Sequence, residues 1–139
     1  VPAPTTSLHV LAAEDNEVNT AVLRAMLEKL GHTAVFCKDG AAALTAYTRS
    51  IAKAPTRGFD VVLLDYQMPV MDGLDACRHI RALEAEQQLP HIPIIALTAH
   101  AFEDQRQRCV AAGMDGYLSK PITIATLAAA LQPYQSPRA

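Results

Sequence analysis

Five short stretches suited to β-strands alternate with five stretches of helical periodicity, and this alternation limits the possible folds more than any other feature of the chain. The strand candidates are Leu8–Ala13, Thr33–Cys37, Asp60–Leu64, Ile94–Leu97 and Gly116–Leu118. Val61–Leu64 and Ile94–Leu97 are apolar at every position, as expected of strands that helices cover on both faces. Strand followed by helix, repeated without a break, gives a parallel sheet with right-handed crossovers.

The helical stretches carry apolar stripes. Val18, Val22, Leu23, Met26, Leu27 and Leu30 line the first, and Gly31 stands where a left-handed cap is needed. The second starts near Asp39, a good N-cap, with Leu44, Tyr47 and Ile51 on one face. Leu74, Cys77, Ile80 and Leu83 mark the third. The fourth runs from about Phe102 to Ala112 and stops at Gly113; the fifth starts near Thr123 and carries Ile124, Leu127 and Leu131. Two connections are long, Ala52–Gly58 and Glu86–Ile92, and both fall far from the carboxyl ends of the strands. At 139 residues the chain suits one domain with a full core, expected over residues 8–131, between a linker over 1–7 and a tail over 132–139.

Composition removes several function classes. A net charge of −2 argues against a broad nucleic-acid-binding surface. No apolar run approaches the roughly 18–20 residues that span a bilayer, so no direct membrane contact is expected. Cys37, Cys77 and Cys109 are widely spaced and read as reduced thiols packed as small hydrophobes, which suits the cytoplasm. The start, Val1–Ser7, lacks an initiator Met and a signal-peptide pattern and is rich in Pro and Thr. A piece of a longer polypeptide is expected.

Polar residues at four strand ends supply the chemistry: Glu14-Asp15, Asp65, Thr98 and Lys120. In an open parallel sheet such residues converge in one crevice. Two like charges 4 Å apart repel by about 4 kcal/mol at an effective dielectric of 20. Three carboxylates there need a cation, a shared proton, or both. Mg²⁺ fits best, being a hard ion that takes carboxylate and phosphate oxygens. One carboxylate can then act as nucleophile and form an acyl phosphate, with Lys120 and Thr98 offering donors to phosphoryl oxygens.

The stretches Ala13-Glu14-Asp15-Asn16, Leu64-Asp65-Tyr66-Gln67-Met68-Pro69-Val70-Met71-Asp72-Gly73, Ala96-Leu97-Thr98-Ala99 and Gly116-Tyr117-Leu118-Ser119-Lys120-Pro121 occur in order, each at the end of a strand. In this the chain resembles the receiver domains of two-component signalling, from about Leu8 to Leu131, and is most similar to receivers of hybrid sensor histidine kinases. The resemblance implies a flavodoxin-like (βα)5 doubly wound sheet with strand order 2-1-3-4-5. It implies Asp65 as phosphoryl acceptor, Mg²⁺ (with Mn²⁺ as a substitute) on Glu14, Asp15, Asp65 and the Gln67 backbone carbonyl, and Lys120 and Thr98 on the phosphoryl group. Tyr117 would be a switch aromatic that turns inward as Thr98 moves, changing the face made by the fourth helix, fifth strand and fifth helix. A Lys120–Pro121 bond in the cis form is often found in such domains. The implied partner is a histidine kinase core, a histidine phosphotransfer domain, or both, with the first helix near Val18 and Val22 as docking surface. The domain would be a monomer or a weak phosphorylation-dependent dimer. Catalysis would extend only to its own phosphorylation and dephosphorylation, within a parent chain that is a hybrid histidine kinase.

Other residues have plainer readings. Asp72 reads as a turn or helix cap, Asp115 as a turn residue before a strand, and Met68, Met71 and Met114 as packing and loop anchors. None of His9, His32, His79, His91 and His100 stands in a metal-like spacing. His100 lies two residues past Thr98, as Gln67 lies two past Asp65, and both are expected at the rim of the site, where they would tune access of water to the acyl phosphate. Tyr66 departs from the small aliphatic residue usual after the acceptor, but adjacent strand residues point to opposite faces, so Asp65 is untouched. A dehalogenase-type phosphatase wants an acid where Gln67 stands, and a flavin carrier wants a phosphate loop where Glu14-Asp15 would repel a phosphate. A pseudo-receiver, a binding module that is never phosphorylated, should lack a site residue, and none is missing.

Overall fold

A computed structural model of the protein describes residues 8–52, 59–66, 68, 70–89, 91–99 and 103–134. The order is β1 (His9–Ala13), α1 (Glu17–Lys29), β2 (Thr33–Cys37), α2 (Gly40–Ala52), β3 (Val61–Asp65), α3 (Gly73–Gln87), β4 (Ile94–Thr98), α4 (Glu103–Ala112), β5 (Gly116–Ser119) and α5 (Ile124–Leu131). The five strands form one parallel sheet in the order β2-β1-β3-β4-β5, the flavodoxin-like arrangement. Strand ends differ from the sequence reading by one residue. Asp65 and Thr98 are the last residues of β3 and β4, because the ladder continues through Asp65 opposite Leu97 and Thr98 opposite Ser119. Leu8 and Asp60 precede their strands; the Asp60 carboxylate accepts from the His9 N–H at 2.8 Å.

Strand parity separates the core into two layers. Val10, Ala12, Val61, Leu63, Ile95, Leu97 and Leu118 pack with Leu23 and Leu27 of α1 and Leu127 and Leu131 of α5. Leu11, Ala13, Val62, Leu64, Ile94 and Ala96 pack on the other side with Ala43 and Tyr47 of α2, Cys77 and Ile80 of α3, and Cys109 and Ala112 of α4. Caps close the helix ends, at Gly31, Asp39 and Asp72 as expected and at Asn16 in addition. Asn16 caps α1 through the Asn19 N–H, and Gly31 follows its end at φ 86°. Asp39 accepts from the Ala42 N–H at 2.8 Å, and Asp72 from the Asp75 N–H at 2.9 Å. Thr123 and Thr126 close a reciprocal capping box at the start of α5.

All three cysteines are free, and burial pushes the Cys77 thiol up to about 11. Residues 53–58, most of the connection before β3, and Phe102 lie outside the described residues, as does the start over 1–7. Gln132–Tyr134 form a 3₁₀ turn, and Tyr134 packs against the α1/α5 layer. No described helix is long and apolar enough to cross a membrane.

Asp115 is more than a turn residue. Its carboxylate accepts from Arg81 Nη2 and from the Ile94 N–H, both at 2.8 Å, and lies 2.7 Å from His91 Nε2. It ties the amino ends of β4 and β5 to α3.

Candidate functional site

At the carboxyl ends of β1 and β3, Glu14, Asp15 and Asp65 each offer a carboxylate oxygen, and the three lie within 4.8 Å of one another. Glu14 and Asp65 are buried, and Asp15 is exposed. Asp65 shares the parity of Val61 and Leu63, and Lys120 that of Leu118, so both side chains start on the α1/α5 side of the sheet. There Lys120 Nζ sits 3.0 Å from Glu14 Oε2 and 3.1 Å from Asp65 Oδ2. Lys120 thus pairs with a carboxylate from each of two strand ends. Glu14 Oε1 also accepts from the Asn16 N–H at 3.2 Å and from Asn19 Nδ2 at 3.3 Å. Asn19 is thus a site residue that sequence reasoning missed, although it falls one helical turn past the cap at Asn16.

Burial by itself would lower the Lys120 pKa. Hydrogen bonds and charge from Glu14 and Asp65 outweigh that and raise it above the ordinary lysine value, so the ammonium is firmly charged. Even so, among the described residues one cation, the Lys120 ammonium, faces the three carboxylates. Oxygen is the only ligand type, and the exposed Asp15 leaves one side open, which suits a hard divalent ion such as Mg²⁺. The close fit of α3 on β3 depends on Gly73, where a Cβ would run into the Asp65 carbonyl oxygen.

The sequence matches the response regulator receiver domain over residues 10–132. The chain belongs to that family. Among solved structures, the receiver is 39% identical to the receiver domain of sensor histidine kinase PA1611 from Pseudomonas aeruginosa, which has a magnesium ion coordinated in its active-site cleft; the TM-score is 0.77, covering 93% of this chain and 98% of that one. It is 30% identical to the receiver domain of histidine kinase CKI1 from Arabidopsis thaliana, complexed with Mg²⁺ and BeF₃⁻, at a TM-score of 0.82 over 94% of this chain and 91% of that one. It is 39% identical to the sensor protein GacS of Pseudomonas syringae over 91% of this chain and 13% of that protein. Against probable histidine kinase 1 of Oryza sativa, identity is 34% over 93% of this chain and 16% of that protein. The receiver therefore spans less than a fifth of these curated relatives. Its place is in two-component phosphorelay signalling.

Thr98 ends β4, the strand beside β3. It shares the parity of Ile94 and Ala96, on the side of the sheet that α3 and α4 cover. Its hydroxyl donates to Gln105 Oε1 of α4 at 3.0 Å. Tyr117, opposite Ala96 on β5, is half-buried on that same side, with the Arg106 guanidinium over its ring at 4.9 Å. Gln105 and Arg106 carry no signal in the sequence, because polar residues on a half-exposed helix are the rule. Gln67 and His100, expected at the rim, lie outside the described residues. The Lys120–Pro121 peptide is cis. A cleft of about 190 Å³ opens between α1 and the Lys120–Ile122 segment, lined by Glu14 and Asn19 at one end and by Val22 and Met26 of α1.

Proposed function

We propose that this receiver takes a phosphoryl group from a phosphohistidine onto Asp65. An Asp65 carboxylate oxygen attacks phosphorus, the donor's N–P bond breaks, and the imidazole nitrogen leaves with the bonding electron pair. The observation that carries the reading is the charge around Asp65: two further carboxylates within 4.8 Å and the Lys120 ammonium at 3.1 Å. Glu14, Asp15, Asp65 and the backbone carbonyl of Gln67 would hold Mg²⁺, with Mn²⁺ as a substitute. When bound, the ion neutralises charge on the transferring phosphoryl oxygens.

Lys120 holds the Asp65 carboxylate before transfer and pairs with a phosphoryl oxygen after it. The Thr98 hydroxyl donates to a second phosphoryl oxygen, Tyr117 turns inward, and the face of α4, β5 and α5 changes. The switch is a two-state element biased by one new dianion. Slow attack of water on phosphorus regenerates the carboxylate, at a rate set partly by Gln67 and His100. The donor is a histidine kinase core or a histidine phosphotransfer domain. In support, the curated relatives are histidine kinases, and Val18 and Val22 of α1 are 70% and 47% exposed, with Val22 on the wall of the cleft.

The test is intact-mass spectrometry after incubation with acetyl phosphate, with and without Mg²⁺, on the wild type and Asp65→Asn. A gain of one phosphoryl group that needs both Mg²⁺ and Asp65 is expected. No gain from acetyl phosphate or from a phosphohistidine partner, with the protein folded, would make the domain a pseudo-receiver.

A further inference from the structure

Two consecutive residues of α4 hold the two residues expected to switch. Thr98 Oγ1 donates to Gln105 Oε1 at 3.0 Å, and the Arg106 guanidinium lies 4.9 Å from the centre of the Tyr117 ring. Thr98 is buried at 5% exposure, so its hydroxyl needs a partner, and Gln105 on the helix supplies one. We propose that Gln105 is a positioning residue: it holds Thr98 toward α4 in the resting receiver and thereby sets how readily the site accepts a phosphoryl group. Arg106 holds Tyr117 in the same sense. The proposal rests on the reading of Asp65 as acceptor.

The reasoning is a count of protons. A threonine hydroxyl has one proton to donate, and Lys120 already faces Glu14 and Asp65. A phosphoryl oxygen and Gln105 Oε1 are both acceptors, so they compete for that one proton. Any bond present only in the resting arrangement lowers the apparent affinity of whatever binds the other arrangement. For one neutral hydrogen bond the effect is about twofold to tenfold. A cation–π contact at an exposed site has a smaller effect, about twofold to fivefold. Both contacts reach α4 from neighbouring strands, so releasing them frees the helix on whose face the output is expected.

The experiment titrates beryllofluoride, with saturating Mg²⁺, into the wild type, Gln105→Ala, Arg106→Ala, Thr98→Ala and the Gln105→Ala/Thr98→Ala double variant, read by calorimetry. Alanine is a good helix former, so α4 is expected to persist; Gln105→Met keeps the chain length without an equivalent acceptor and serves if alanine unsettles the helix. The expected result is about twofold to tenfold tighter binding for Gln105→Ala, a smaller gain for Arg106→Ala, and no gain from losing Gln105 when Thr98 is already alanine. Unchanged or weaker binding for both Gln105 variants overturns the proposal. So does a gain that persists in the Thr98→Ala background, since the effect then does not run through the hydroxyl. A wild type that binds no beryllofluoride with Mg²⁺ present overturns the acceptor reading itself, and the proposal with it.

Discussion

The two ends of the sheet carry clusters made of the same groups and arranged in opposite ways. At the amino end, both oxygens of Glu84 and both of Asp115 accept hydrogen bonds. Glu84 takes two bonds from Arg81 Nη1, at 2.8 and 3.0 Å, and one from the Ile92 N–H at 2.6 Å. Asp115 takes Arg81, the Ile94 N–H and His91. Arg81 spends its remaining capacity on the Gly113 and Ile92 carbonyls, both at 2.8 Å. At the carboxyl end, Glu14, Asp15 and Asp65 meet one ammonium among the described residues. A cluster that closes its own hydrogen bonds with backbone groups holds chain segments together. A cluster with charge left over is incomplete until something enters from outside.

The largest expected effect comes from opening the saturated end. Arg81→Ala leaves the buried Glu84 carboxylate and Asp115 without their cation and should destabilise the receiver by about 3–5 kcal/mol in urea unfolding. Mg²⁺ affinity of the molecules still folded should stay within about twofold, since the two clusters sit at opposite ends of the strands. Replacing the pair by apolar residues, Arg81→Met with Glu84→Leu, should recover most of the loss. A double variant as unstable as Arg81→Ala would mean that the backbone bonds of Arg81, and not its charge, hold this end.

His32 is the one gap in the saturated end. Its Nδ1 accepts from the Leu8 N–H at 3.0 Å, which makes Nε2 the protonated nitrogen, and Nε2 is buried without a partner among the described residues. His32→Phe strips the Leu8 N–H of its acceptor and should cost about 1–3 kcal/mol. Burial lowers the His32 pKa from the ordinary 6.5. Below that value the unfolded chain takes up a proton before the folded one, so stability falls as pH falls, by at most about 1.4 kcal/mol per pH unit. His32→Phe should remove that part of the acid slope. An unaltered slope would assign it to the carboxylates instead.

Backbone strain divides the two ends in the same way. Val70, in the loop between β3 and α3, holds φ 69° and is 85% exposed. Gln88, at the far end of α3, holds φ 55° but serves as its left-handed cap, its N–H on the Glu84 carbonyl. A left-handed residue costs about 1–2 kcal/mol, more when β-branched, and asparagine tolerates it best. Val70→Asn should therefore stabilise the receiver by about 1 kcal/mol in thermal unfolding, with acetyl phosphate labelling retained. A loss of stability would show that the valine side chain, exposed as it is, makes a contact that offsets the strain.

The sequence disclosed the geometry of one end better than that of the other. Asp65 and Lys120 could be placed because strand ends and strand parity are local, and apolar runs mark the strands. Glu14 on Lys120 was not readable, since it depends on how the ends of β1 and β5 converge. Asp115 and Arg81 were missed for a related reason: an acid before a strand and an arginine on a polar helix face look like ordinary surface until the fold brings them together. Gln105 belongs with them, its importance arising only from what stands opposite.

The smallest expected effect tests the comparison most directly. Asp15 is the exposed member of the acidic cluster and accepts no hydrogen bond among the described residues. Asp15→Asn removes repulsion without removing a partner. In EDTA it should raise stability by a few tenths of a kcal/mol, the scale of exposed charge interactions. With Mg²⁺ the order should reverse. A ligand that binds only the folded state stabilises it by about 2.7 kcal/mol at one hundred times its dissociation constant, and the variant, with one carboxylate fewer, should gain much less. Melting curves of both proteins across a Mg²⁺ series would then cross. If Asp15→Asn is less stable even in EDTA, Asp15 is a structural residue and the excess charge at this end is not what keeps the site open to a cation.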